Sequence, residues 1–168
     1  MLTETRLEET RTRLVWTMFA GNAIATTGYI GLATVNPIIA EEITGSKTLA
    51  GLPATTATLG IAIGAMVLSW LSLHVGRRVT FTLGYLMAFL GAVLSIASIA
   101  TQSFLLLLAG MLVVGVGRSV GQLARYAAGD LRTEDRRASA ISLIIWASTI
   151  GAVVGPLLIG PTGAFASA

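Results

Sequence analysis

Cysteine is absent from this 168-residue sequence, which excludes disulfides and thiolate metal sites. Charge is scarce as well. Asp, Glu, Lys and Arg together make up 11% of the residues, while 54% are hydrophobic. A soluble domain of this size needs far more charged surface than that. Missing too are a phosphate-binding glycine loop, a metal-ligand cluster and a nucleophile–base pair. No enzyme chemistry, cofactor or metal is therefore expected. A net charge of +3 is too small to mark a nucleic-acid surface. The charges that do occur are unevenly placed, in segments 1–13, 41–47, 74–78 and 125–137. No Asp or Glu falls in the long runs between them, and the one cation there is Arg118.

Those runs are long and apolar. At about 1.5 Å per residue, about 20 residues cross a hydrocarbon core of about 30 Å. Backbone in lipid must satisfy its own hydrogen bonds, so such runs become helices or a closed barrel. They are too long, and lack the alternation, for barrel strands. The sequence therefore predicts an all-α integral membrane protein with about five transmembrane helices. A polar tail, 1–13, precedes a bundle over 14–160, with spans at 14–40, 49–73, 79–100, 104–128 and 138–159. A short tail, 161–168, follows. With the N-terminus in the cytoplasm, nine arginines lie on the cytoplasmic side, and Lys47 stands alone outside. That bias sets the expected orientation and places the C-terminus outside the cytoplasm. The expected location is the cytoplasmic membrane, with lipid around the bundle.

The turn between the second and third spans reads Ser69-Trp70-Leu71-Ser72-Leu73-His74-Val75-Gly76-Arg77-Arg78. It resembles the signature loop of the major facilitator superfamily, G-x-L-A/S-D-R-x-G-R-R. Leu71, Ser72, Gly76, Arg77 and Arg78 match, while Ser69, Leu73 and His74 replace the family's Gly, Asp and Arg. Asp130, followed by Arg136 and Ala138, looks like the loop after the family's fourth helix. Gly115-x-Gly117 matches glycines of the fourth-helix motif. Gly151-x-x-x-Gly155-Pro156-x-x-x-Gly160 is similar to the fifth-helix motif of efflux antiporters. The resemblance covers almost the whole chain. It implies the N-terminal half of a two-bundle transporter, an incomplete six-helix bundle without its sixth helix. It also implies gating by Gly76, Arg77, Arg78 and Asp130, with packing and a kink at Gly151, Gly155, Pro156 and Gly160.

The residues themselves suggest where a solute would sit. Arg118, Gln122 and Arg125 fall on one helical face, with Gly121 beside them. An arginine at mid-membrane costs about 2.5–3.5 kcal/mol, so a lipid-facing Arg118 is disfavoured. Either it meets an anionic group in a wet cavity, or it snorkels to the cytoplasmic interface. In the first span Asn22, Thr26, Tyr29, Ala33 and Asn36 form one polar stripe. It either lines a solute path or bonds to neighbouring helices. Asn36-Pro37 should bend or end that helix. Thr55, Thr56 and Thr58 can each satisfy themselves on a carbonyl one turn back. His74 reads as an interfacial residue. Arg77 or Arg78 could pair with Asp130 to latch one conformation.

Asn22, Thr26, Tyr29, Arg118 and Gln122 are thus the expected cavity residues, in a carrier working by alternating access, with efflux as the direction the resemblance implies. The expected partners are a small-molecule substrate and a second bundle. That bundle would come from a missing half, a partner half or another copy of the chain. The competing reading is a non-transporting assembly or regulatory subunit, or an inactive truncated remnant.

Overall fold

Apolar runs that cannot share hydrogen bonds with solvent coil into helices, and the computed structural model is helical along nearly all of its described length. It describes residues 2–130 and 134–166, with side chains over 12–125 and 138–157 apart from residues 15, 140 and 144. Helix α1 is Leu2–Thr44, so it begins well before the polar tail gives way to apolar sequence. It also runs through Pro37 to Thr44, so the expected bend or end at Asn36-Pro37 is not an end. A 3-10 turn, Lys47–Gly51, leads into α2, Leu52–His74. Helix α3 is Arg77–Thr101. The fourth run is divided into α4, Phe104–Arg118, and α5, Val120–Asp130. The break is at Ser119, where backbone bonds span three residues, Ser119 N–H to the Val116 carbonyl at 3.3 Å and Gln122 N–H to the Ser119 carbonyl at 3.1 Å. Helix α6 is Glu134–Ala166.

The turns follow from local chemistry. Gly76 ends the α2–α3 turn at φ +93 and ψ 157, a conformation open essentially to glycine alone. Gln102 adopts a left-handed conformation after α3. Ser103 then caps α4, its hydroxyl accepting from the Leu106 N–H at 3.4 Å.

Among the described residues, Thr12–Thr44, Lys47–His74, Arg77–Thr101 and Phe104–Arg125 are long and apolar enough to cross a membrane. Helix α6 carries the shorter apolar stretch Ile141–Leu157. The packing is the reverse of a soluble domain's. Large apolar side chains point outward, with Leu73 85%, Met66 80% and Leu105 80% exposed. The interior is rich in small or polar residues, including Ala57, Thr80, Ser95, Ser98 and Ser119, beside a few larger ones such as Leu107 and Met111. Lipid solvates the outer side chains, so close backbone packing rather than hydrophobic burial joins the helices.

Helix α4 is the hub of one group, packed along α2 and α3, while α1 pairs with α6. Glycines set the α3–α4 spacing. A Cβ on Gly117 would stand 2.5 Å from the Ala88 nitrogen, and one on Gly110 2.6 Å from the Ser95 hydroxyl. Gly60 and Gly115 face each other across α2 and α4. On the α1–α6 side, a Cβ on Gly151 would stand 2.8 Å from the Ala23 carbonyl oxygen, and one on Gly155 2.9 Å from that of Thr27. The two groups meet where Ile39 and Ala40 of α1 pack on Leu107 of α4. There the buried Asn36 amide also donates to the Met111 sulfur.

Candidate functional site

A cavity of about 670 Å³ opens between α1, α3 and the α4–α5 break. Asn22, Thr26, Tyr29, Arg118 and Gln122 all line it, so residues far apart in sequence share one space. Arg125 and Ser148 line it too. The size falls within the range of small-molecule sites, about 300–1,000 Å³.

Arg118 dominates its electrostatics. Its guanidinium carbon sits 3.8 Å from the centroid of the Tyr29 ring, a cation–π contact. Tyr29 lies near the middle of the Thr12–Thr44 span. Gly121, one turn further along, sits beside Asn22.

The polar stripe of α1 divides between the two readings of it. Asn22 is buried and its amide donates to the Ser148 hydroxyl at 2.9 Å, an interhelical bond to α6. Thr26 is buried against Gly151. Tyr29 turns to the cavity and Arg118. The α2 threonines bond backwards, Thr55 to the Gly51 carbonyl and Thr58 to that of Ala54, both at 2.9 Å. His74 is exposed, stacked on Trp70 with ring centroids 4.3 Å apart.

Gly76, Arg77 and Arg78 sit together in the exposed α2–α3 turn, away from the cavity. The Asp130 side chain lies outside the described residues, and so do the surroundings of Gly160. Gly151 and Gly155 pack α6 on α1, and the helix continues through the exposed Pro156. Sequence reasoning passed over Tyr85 and Phe89, which form the α3 wall of the cavity with Ala92 and Ile96. Their spacing, at steps of four, three and four, marks one face of a helix.

The chain matches the Major Facilitator Superfamily over residues 18–167, nearly the whole bundle and all of the cavity. The chain belongs to that superfamily. It is 37% identical over 153 residues to YdeG of Bacillus subtilis, described as an uncharacterized MFS-type transporter, covering 89% of this chain and 36% of that protein. It is also 37% identical over 133 residues to a second such B. subtilis protein, YddS, covering 79% of this chain and 30% of that one. The riboflavin transporter RfnT of Brucella anthropi is 32% identical over 122 residues, which cover 73% of this chain and 31% of that protein. The chain thus spans about a third of the length of the relatives it matches. No solved structure matches it. As a superfamily member with several long apolar helices, it is a multi-pass membrane protein. The major-facilitator fold gives the Arg118 cavity its context: it lies inside a bundle built to sit in lipid.

Proposed function

We propose that this chain is the solute-binding part of a secondary transporter, moving a small molecule across the cytoplasmic membrane by alternating access. The observation that carries the reading is the Arg118–Tyr29 pair within a membrane-embedded cavity. A guanidinium held at that depth is disfavoured unless water, solute or a counter-charge meets it. The relatives described as transporters support the same reading. Alternating access requires a second bundle to rock against this one, supplied by a longer chain or a second copy. The fifth-helix glycine–proline pattern supports efflux as the direction. The α2–α3 turn, with Gly76, Arg77 and Arg78, is the proposed gate of the cytoplasmic side, with the N-terminus in the cytoplasm. Asp130 is the proposed counter-charge of that gate.

The test is flux in proteoliposomes holding the protein at the length found in its source membranes. Arg118→Ala should lower flux at least tenfold while the protein still inserts. Flux unchanged by that substitution would favour a non-transporting subunit instead.

A further inference from the structure

We infer that the solute of this cavity is an amphiphilic organic anion, its acidic group held at Arg118 and its apolar body lying along α1 and α3. The inference rests on the transporter reading and adds the chemical class of the solute.

The two ends of the cavity differ in chemistry. Tyr85 of α3 lies against Gly21 of α1. Along α1 the lining runs from Gly21 to Leu32, eleven residues further on. That displacement is about 16 Å along the bundle. Near Gly21 the lining is polar, with Asn22, Gln122 and Arg125, and Arg118 lies against Tyr29, between that end and Leu32. Towards Leu32 and Ile96 the lining is apolar, with Ala92, Phe89 and Val114. The described lining residues include two arginines and no carboxylate. Nor does any Asp or Glu fall in the apolar runs of the chain. A cationic solute would meet positive charge that no described lining carboxylate offsets. A neutral one would leave Arg118 with the ring of Tyr29 as its partner. An acidic head supplies the missing charge and accepts hydrogen bonds from the planar guanidinium. Tyr85 and Phe89, one turn apart, give a flat body a surface to lie on.

The alternative source of negative charge is a carboxylate on another helix of a longer chain. The two are separated by an isosteric series: 2-naphthoate, 2-naphthamide and 2-naphthylmethylammonium. Their binding is measured by calorimetry to the native-length protein in nanodiscs, with empty nanodiscs subtracted. The anion should bind at least about tenfold more tightly than the amide, as expected for charge-assisted bonds, and the cation most weakly. Arg118→Ala should reduce the anion's advantage to about threefold or less, and Arg118→Lys should keep part of it. Gly28→Trp, which fills the cavity, should abolish binding of all three probes. A wild-type protein with no anion preference, or one favouring the cation, would overturn the inference without recourse to any variant. If Gly28→Trp still abolished that binding, the cavity would stand and only the solute class would fall. Binding unaffected by Gly28→Trp, or no binding of any probe, would overturn both. Anion binding without flux would leave the class in place and refute transport.

Discussion

Gly117→Ala tests the packing that holds the cavity in shape. The added Cβ would stand 2.5 Å from the Ala88 nitrogen and 2.6 Å from the Gly84 carbonyl oxygen. Non-bonded heavy atoms settle at about 3.5 Å or more, so α3 and α4 must part by about 1 Å. The atoms in the way are backbone and cannot swing aside. Overpacking of this kind destabilises by about 1–3 kcal/mol. Alanine also gains about 0.8–1 kcal/mol over glycine in a helix, which would mask part of the effect. Gly28→Ala supplies the control, because a Cβ there meets nothing within 4 Å. The propensity gain is common to both substitutions and cancels between them. Gly117→Ala should therefore be less stable than Gly28→Ala by about 1–3 kcal/mol. Reversible unfolding in mixed micelles, followed by circular dichroism, measures both. Equal stabilities would refute the close approach of α3 and α4.

Three further outcomes follow from particular residues. Gly76→Ala should destabilise by about 1–3 kcal/mol in the same assay, because the added Cβ strains the backbone at φ +93. Removal of the Asn22–Ser148 bond should have a smaller effect, and a double-mutant cycle of Asn22→Ala with Ser148→Ala should return a coupling of about 0.6 kcal/mol. On a cysteine-free background, Ser46→Cys should react with an impermeant maleimide only from outside the cell, as the arginine bias predicts; labelling only from inside would reverse the proposed orientation.

The helices were legible in the sequence because lipid leaves an apolar run little choice of conformation. Charged segments at 74–78 and 125–137 fixed where the chain turns. The ends of α1 were less legible. Helix continues into residues 2–13 because nothing in that polar segment forbids it, and Pro37 does not stop it. The break at Ser119 is a local switch of the backbone to bonds spanning three residues, which pattern alone does not reveal. Of the candidate site, Arg118, Tyr29 and Asn22 stood out because polar groups in an apolar run are conspicuous. Tyr85 and Phe89 did not, since aromatic residues look ordinary in a membrane helix until a cavity gives them a side to face. The glycines of α3 had the same defect. Gly84 and Gly91 gain meaning only once Val120 of α5 and Val114 of α4 are packed against them.

The most direct test of the account is the accessibility of Ala25, which lines the cavity beside Thr26. Ala25→Cys, on a cysteine-free background, is exposed to an impermeant maleimide from each side of sealed vesicles in turn. Alternating access predicts labelling from both sides, with 2-naphthoate slowing it on each. Labelling from one side alone, or from neither, would contradict the claim that the Arg118 cavity is the path of a solute through the membrane.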